Sequence, residues 1–241
     1  MVIDPLSATV ALIVFVAIFT QTVAGFGLGL VAMPLLIHVV GVRTATPLVA
    51  AIGLVAGAVM LARYRASLRW DLIWRLSLAS LIGIPLGTYA LGFIDERLIT
   101  TTLGVVVIGY ALYVLFGLTL PRLAHPAWAY GLGFVSGLLS GSTNTGGAPL
   151  IIYGQANRWD PLEFKGNLQV IFMIAGILAM VTHLMSGNFT PGVWRNVWIS
   201  LPGLLPAFVL GFLLDKRINA ELFRRVVLIL LVIMGVLLIV R

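Results

Sequence analysis

The sequence contains no cysteine and very little charge, and both absences restrict what the protein can be. Without cysteine there is no disulfide, no thiolate nucleophile and no cysteine-ligated metal site. Only 10% of the 241 residues are charged, whereas an average soluble domain carries about 25%. So few charges cannot cover a folded domain with a water-facing surface. The composition therefore indicates a membrane protein without a separate soluble domain.

Acidic residues are especially few, and none falls inside a predicted membrane segment. All eight lie at segment ends or in loops: Asp4, Asp71, Asp95, Glu96, Asp160, Glu163, Asp215 and Glu221. Charge within a membrane is costly and usually functional, so this absence argues against a cationic substrate and a carboxylate proton relay. There is also no His-Glu-x-x-His motif, no histidine cluster and no intramembrane aspartate pair for an intramembrane enzyme. We expect no catalytic centre, no metal and no cofactor.

Long apolar runs fill most of the chain. They fall at about 6–24, 27–40, 45–62, 71–92, 98–118, 127–141, 146–157, 166–185, 194–214 and 221–240. In lipid only helices and closed barrels satisfy the backbone, and these runs lack the two-residue alternation of barrel strands. We predict an all-α polytopic integral membrane protein with eight to ten membrane segments, at about 20 residues per crossing. The whole chain, 1–241, forms one transport domain. The N-terminus has no basic residue, so we expect the first run to be retained.

Two glycine-rich segments interrupt apolar stretches without introducing charge. The first is Gly25-Phe26-Gly27-Leu28-Gly29, and the second runs from Ser140 to Gly147. The arms of the second break are too short to cross a hydrocarbon core of about 30 Å comfortably. We interpret both breaks as the tips of re-entrant hairpins inside the membrane. A tight surface turn between two helices is the alternative for each.

The two halves of the chain share a series of landmarks. Gly25, Pro34 and Leu35 match Gly141, Pro149 and Leu150; Met60 matches Met180; Trp74-Arg75 matches Trp194-Arg195; Leu91-Gly92-Phe93 matches Leu210-Gly211-Phe212. The last pair is followed by Asp95 and Arg97 in one half and by Asp215 and Arg217 in the other. This order predicts an internal duplication, with repeat one at about 6–118 and repeat two at about 127–240. Each repeat is a broken hairpin plus three transmembrane helices, and such repeats are common in transporters.

The basic residues indicate how the repeats are oriented. Parallel repeats would divide the 15 Lys and Arg residues almost evenly between the two sides. Inverted repeats put only Arg43, Arg97, Arg195 and Arg241 on one side. The other side then holds Arg63, Arg65, Arg69, Arg75, Arg122, Arg158, Lys165, Lys216, Arg217, Arg224 and Arg225. Because cytoplasmic loops are enriched in Lys and Arg, we predict inverted repeats with both termini outside, in a bacterial-type inner membrane. Re-entrant hairpins and full double crossings give the same count.

The polar residues at the two breaks suit an anion. Free N–H groups at a helix N-terminus bind anions without a formal charge, and glycine permits close approach of the backbone. The predicted substrate-binding residues are Gln21, Gly25, Gly27, Gly29, Thr46, Ser142, Thr143, Asn144, Thr145, Gly146, Gly147, Asn167 and Gln169. The alternative is that these small and polar residues only support helix packing. Arg43 and Lys165 could attract an anion, although interfacial anchoring is favoured for both. For His38 and His183 a structural role is favoured over a coupling proton.

The motifs also resemble a known family. The first break followed by Pro34, its second copy ending in Gly146-Gly147-Ala148-Pro149, and the paired Leu-Gly-Phe…Asp-x-Arg segments resemble the sulfite exporter (TauE/SafE-like) family over nearly the whole chain. This resemblance implies transport of sulfite, of sulfonates such as sulfoacetate, or of related organic acids. The second break reads Ser142-Thr143-Asn144-Thr145 where more glycine is expected, which implies an altered substrate. Thiosulfate-transporting relatives are associated with functional cysteines, which this chain lacks.

Together these observations predict a transporter rather than an enzyme. We expect alternating access around a site between the hairpins, with Asn144 and Asn167 as side-chain donors. Export of each negative charge from a negative interior is favoured by about 2.3 kcal/mol per 100 mV, so export needs no coupling ion. The alternatives are import of organic anions coupled to H+ or Na+ and, less favoured, an intramembrane enzyme. The expected partners are a small anion and the lipid bilayer, but not nucleic acid. The sequence leaves open whether the chain forms a homo-oligomer.

Overall fold

The computed structural model describes residues 4–25, 27–64, 68–214, 217 and 219–240, and every regular element in these ranges is an α-helix. The predicted residues Phe26, Arg65, Asp215, Lys216 and Arg241 lie outside the described residues. The helices are α1 (Pro5–Ala24), α2 (Leu28–Val40), α3 (Val42–Tyr64), α4 (Trp70–Phe93), α5 (Glu96–Leu115), α6 (Pro126–Thr143), α7 (Gly147–Ala156), α8 (Pro161–Met185), α9 (Pro191–Leu214) and α10 (Ala220–Val240).

Seven of the helices in the described ranges are long and apolar enough to cross a membrane. They are α1, α3, α4 from Ile73 onward, α5, α8, α9 and α10. The other three helices belong to the two breaks: α2 has 13 residues, α6 has 18 and α7 has 10. At 1.5 Å per residue, α7 is only about 15 Å long. The predicted all-α polytopic membrane architecture is confirmed.

Several helices begin where the local sequence favours a start. Proline occupies the first turn of α1, α6 and α8, where its missing N–H has no intrahelical role. Asp95 and Asp160 cap α5 and α8, accepting hydrogen bonds from the N–H groups of Arg97 (2.8 Å) and Leu162 (3.0 Å). These caps explain why Asp95 and Asp160 lie at helix ends.

Two long parallel pairs of helices form the sides of the bundle. In the pair α4–α6, Gly133, Gly137 and Gly141 face the backbone of α4 so closely that a Cβ would collide with it. In the pair α1–α9, Asp4 binds Arg195 (2.8 Å) at one end, and Thr22 packs against Gly211 at the other. Small residues that let backbones approach are typical of helix interfaces in membranes.

Helices α3 and α8 cross at the centre of the molecule in opposite directions. A Cβ at Gly57 would lie 3.7 Å from the sulfur of Met173, and a Cβ at Gly176 would lie 3.1 Å from the side chain of Leu54. Residues later in α3 thus contact residues earlier in α8, which means that the two helices are antiparallel. Both broken hairpins, α1–α2 and α6–α7, pack against this central pair.

Candidate functional site

The two breaks begin with the same kind of helix cap. Helix α1 ends at Gly25, with φ of 82°, and α6 ends at Asn144, with φ of 52°. In both cases the capping N–H bonds a carbonyl four residues earlier, that of Gln21 (2.7 Å) or Ser140 (3.0 Å). The next helix begins three residues after the cap in each break. By backbone conformation, the counterpart of Gly25 in the second half is therefore Asn144, and not Gly141 as the sequence landmarks predicted. Asparagine can take this place because it is one of the few residues besides glycine that tolerates the left-handed backbone.

The tips of the two hairpins touch each other. A Cβ at Gly29, in the first turn of α2, would overlap the backbone carbonyl of Asn144. A Cβ at Gly146 would overlap Ser136 and Ser140 of α6. Ser136 also donates a hydrogen bond from its Oγ to the carbonyl of Gly146 (2.7 Å). Glycine at position 29 allows the two breaks to meet, and glycine at position 146 allows the second break to pack closely against α6.

Each tip is held by a helix from the other half of the chain. Gln169 of α8 donates its Nε2 to the carbonyl of Gly25 (2.9 Å). Asn144 donates its Nδ2 to the carbonyl of Thr46 in α3 (2.6 Å), and the Thr46 hydroxyl donates to the carbonyl of Ser142 (3.1 Å). The polar residues that follow the hairpins therefore fix the position of the opposite break.

A cavity of about 90 Å³ lies between the tips and the central helices. That volume is several times the roughly 10–15 Å³ needed for one water. Among the predicted site residues, its walls contain Gln21, Gly27, Gly29, Asn144, Gly146 and Gly147. The remaining walls come from Leu28, Leu30, Val49, Ala50, Gly53, Gly57, Ser140, Ile151, Phe172, Ala175 and Gly176. The α3 and α8 members lie near the middle of their helices, so the cavity sits at mid-depth in the bundle.

The electrostatics of the cavity come from backbone and amide groups. No Lys, Arg, His, Asp or Glu in the described ranges lines it. The N-terminus of α2 opens onto it, and the first backbone bond of that helix is from Val31 to Gly27 (2.9 Å), which leaves the preceding N–H groups without helical partners. Helix α7 likewise begins at the cavity wall, at Gly147. Two helix N-termini thus direct partial positive charge toward one uncharged space.

Gln21 is the polar side chain of α1 at this cavity. It is buried, and its Oε1 is enclosed without a hydrogen-bond partner among the described residues. Burying an unpaired amide oxygen costs roughly 1–3 kcal/mol. Gln21 therefore offers a ligand or water in the cavity a hydrogen-bonding group that no described residue uses.

The other predicted site residues lie around the cavity rather than in its wall. Gly25, Thr46, Ser142 and Gln169 form the tip contacts described above, and Thr143 and Thr145 share a hydroxyl–hydroxyl hydrogen bond (2.7 Å).

Asn167 lies farther away. It accepts a hydrogen bond from the backbone N–H of Arg69 (2.9 Å), while its Nδ2 is enclosed without a partner in the described ranges. The two predicted cations are also outside the cavity wall. Arg43 is exposed at the start of α3, and the stem of Lys165 packs against Gly25.

Sequence reasoning missed the contribution of α3 and α8 to the cavity. Gly57 and Gly176 line it from opposite sides. They are separated by 119 residues, the same separation as Gly25 and Asn144. A search for glycines spaced at the repeat distance inside apolar helices would have found this pair. Ser140 was part of the second break but was not predicted as a site residue.

Comparison with known proteins identifies the family. Residues 10–238 match the family described as "Sulfite exporter TauE/SafE". The chain belongs to the sulfite exporter TauE/SafE family. Members of this family are membrane transporters, so the prediction of a transporter rather than an enzyme is confirmed. The resemblance drawn from the glycine-rich breaks is confirmed as well.

A curated member of the TauE/SafE family is similar along most of its length. It is the "Probable sulfite/organosulfonate exporter TauE" of Cupriavidus necator, which is 27% identical over 221 residues. The aligned region covers 86% of this chain and 84% of that protein. No solved structure matches the chain.

Proposed function

We propose that this protein moves small sulfur oxyanions, such as sulfite or a short sulfonate, through the cavity between its two broken hairpins. One observation carries the proposal: two helix N-termini converge on an uncharged cavity at mid-depth in a member of a sulfite exporter family. The relative from Cupriavidus necator, named as a probable sulfite/organosulfonate exporter, supports the choice of sulfur.

The cavity chemistry suits an oxyanion with several acceptor oxygens. The unpaired N–H groups at the starts of α2 and α7 supply donors without a fixed charge, as in other transporters that bind anions at broken helices. The Asn144 amide at the tip would add a side-chain donor. The Gln21 amide would add another once it rotates to turn its Nε2 toward the cavity. Val49, Ile151 and Phe172 form an apolar wall, which suits the carbon chain of a sulfonate.

We further propose that the two halves are inverted repeats that alternate around this cavity. The antiparallel crossing of α3 and α8 and the reciprocal hold on the tips by Gln169 and Thr46 support an in-plane pseudo-two-fold axis. In such folds one half rocks against the other around a fixed site. The charge count supports a bacterial-type inner membrane with both termini outside.

The proposed direction is export. A negative interior favours departure of each negative charge by about 2.3 kcal/mol per 100 mV. No carboxylate or histidine in the described ranges lines the cavity to carry a coupling proton. Uncoupled efflux therefore suffices, whereas import would require a cation site.

Transport by purified protein in liposomes tests this proposal. Radiolabelled sulfite and sulfoacetate are expected to show saturable flux that follows an imposed membrane potential and requires neither a proton nor a sodium gradient. Acetate serves as the carboxylate control. A lack of saturable flux for both sulfur compounds, with folded protein, contradicts the substrate proposal. Flux that depends on an H+ or Na+ gradient supports the import alternative instead.

A further inference from the structure

A second cavity, of about 380 Å³, lies at the end of the molecule where α4, α6 and α8 begin and α7 ends. We call it the arginine pocket. Its charged wall residues are Arg69, Arg75, Arg122, Arg158, Asp71 and Glu163. The topology proposed above, with both termini outside, places this end and most of the basic residues on the cytoplasmic side.

Most of the positive charge in the arginine pocket is not neutralised by any described residue. Arg69 is the exception, since it binds Asp71 (2.9 Å) and Glu163 (3.2 Å). Arg75, Arg122 and Arg158 form no ion pair with any described residue. Among the described residues, four arginines against two carboxylates give the pocket wall a net charge of +2. A concave surface of one charge sign concentrates ions of the opposite sign.

The short helix α7 connects the arginine pocket to the central cavity. Gly147 and Ile151 of α7 line the central cavity, while Tyr153 and Asn157 line the arginine pocket. Ile151 and Tyr153 are two residues apart, so the walls of the two cavities come within about 3 Å of each other along the axis of α7. An anion held in the arginine pocket is thus separated from the proposed transport site by only part of one short helix.

We propose that the arginine pocket is a second binding site for the transported oxyanion, which captures it on the cytoplasmic side before it enters the central cavity. This inference rests on the function proposed above. Guanidinium groups bind planar pairs of oxygen atoms through two hydrogen bonds, and a sulfite or sulfonate group presents such oxygens. A site on a transport pathway must release its ion as well as bind it. Asp71 and Glu163 reduce the positive charge of the pocket and so keep the anion from being held too tightly.

The test compares two double variants that each remove two positive charges from the same end of the protein. Arg122→Gln with Arg158→Gln alters the pocket. Arg217→Gln with Arg225→Gln is the matched control, because both residues are exposed and lie outside the pocket. Initial sulfite transport is measured with substrate on the arginine side, in vesicles of neutral lipid and in vesicles containing anionic lipid.

We expect the pocket variant to raise the KM about fivefold or more while the maximal rate stays within about twofold, since the pocket acts on local concentration. The KM of the unmodified protein should rise with salt, and that of the pocket variant should rise less. An unchanged KM, or an equal rise in the control variant, overturns the proposal. A rise confined to anionic vesicles also overturns it, because the pocket then binds a lipid headgroup.

A binding measurement separates this inference from the proposed function. Equilibrium dialysis of radiolabelled sulfite against detergent-solubilised protein should show two anions per chain, and one in the pocket variant. If the unmodified protein binds two anions but transports none, the proposed function fails while the pocket site stands. If it transports sulfite but the pocket variant binds as many anions as the unmodified protein, the pocket inference fails alone.

Discussion

At the scale of single residues, the proposed site depends on two helix caps in the left-handed backbone conformation. Gly25 and Asn144 end the two broken helices with φ of 82° and 52°. Glycine adopts this conformation freely, whereas most other residues are destabilised in it by roughly 1–2 kcal/mol. Asn144 therefore has two separable functions, since its backbone turns the chain while its amide bonds Thr46 and borders the cavity.

Substitutions at Asn144 separate these two functions. Asn144→Gly removes the amide and keeps the turn, whereas Asn144→Ala removes the amide and strains the turn. We expect both to raise the KM for sulfite and only the alanine variant to lose a further ~1 kcal/mol of stability. Transport assays and thermal unfolding in detergent measure the two effects. Equal stability of the two variants would contradict the backbone argument, and an unchanged KM would remove the amide from the site.

The contact between the tips makes Gly29 sensitive to substitution. Gly29→Ala pushes a methyl group into the carbonyl of Asn144, and overpacking of this kind destabilises by about 1–3 kcal/mol. We expect transport to fall at least tenfold, an amount that corresponds to about 1.4 kcal/mol. Gly109→Ala in α5 is the control, because no atom lies within 4 Å of its added Cβ. Wild-type transport by Gly29→Ala would show that the tips separate readily.

At the scale of elements, the arms of the second hairpin are fixed differently. Helix α6 is held rigidly against α4 through Gly133, Gly137 and Gly141, whereas α7 is short and packs against α6, α8 and the N-terminal hairpin. Close backbone contact stabilises α4 and α6 as one unit. We infer that this pair moves together if the halves rock.

The glycines of α6 provide an internal comparison of this packing. Gly137→Ala places a methyl group against Ser80 and Gly83 of α4, whereas Gly131→Ala in the same helix meets no atom within 4 Å. We expect Gly137→Ala to lower the unfolding temperature in detergent. Gly131→Ala should leave it unchanged or raise it, because alanine is favoured over glycine in helices by up to ~1 kcal/mol. Similar unfolding temperatures for both variants would contradict close packing of α4 and α6.

At one end of the α1–α9 pair, an exposed ion pair responds to pH. Hydrogen bonding by Ser7 and the charge of Arg195 lower the pKa of Asp4 below its usual 3.8. A lowered pKa in the folded state stabilises the fold above the unfolded pKa, and this contribution is lost as pH falls below about 4. We expect Asp4→Asn to reduce the acid sensitivity of unfolding slightly. Identical pH profiles for the variant and the unmodified protein would show that this exposed pair contributes nothing measurable.

At the scale of the whole molecule, the orientation of the halves decides how the transporter works. Inverted halves place Thr119, after α5, and Ser186, after α8, on opposite sides of the membrane. Parallel halves would place both on the same side. The natural absence of cysteine makes this test direct, because a single introduced thiol is the only one in the chain.

Labelling of Thr119→Cys and Ser186→Cys with a membrane-impermeant maleimide therefore tests the topology. Both residues are exposed and follow helix ends. We expect Ser186→Cys to react in intact cells and Thr119→Cys to react only after the membrane is permeabilised. Reaction of both thiols from the same side would rule out inverted repeats. The cysteine-free parent protein controls for background labelling.

Sequence reasoning predicted the helical membrane architecture and the two breaks, because both follow from local composition. Apolar runs must form helices in lipid, and the glycine-rich segments that contain Gly25 and Gly146 interrupt those runs. Six of the thirteen predicted site residues line the cavity. Others, such as Gln169 and Thr46, bond the backbone of the hairpin tips instead. The sequence could not distinguish these roles, because a polar residue in an apolar helix looks the same whether its side chain faces a ligand or bonds a neighbouring backbone.

The sequence by itself thus determined that this protein resides in a membrane, where its helices break, and which family it belongs to. Only the tertiary structure showed that Gly29 meets Asn144, that Gly57 and Gly176 line the cavity, and that Asn167 bonds Arg69 away from it. It also brought Arg75, Arg122 and Arg158 together around one pocket. The physical reason is that helix formation depends on neighbouring residues, whereas these contacts join residues many positions apart and depend on how the helices pack.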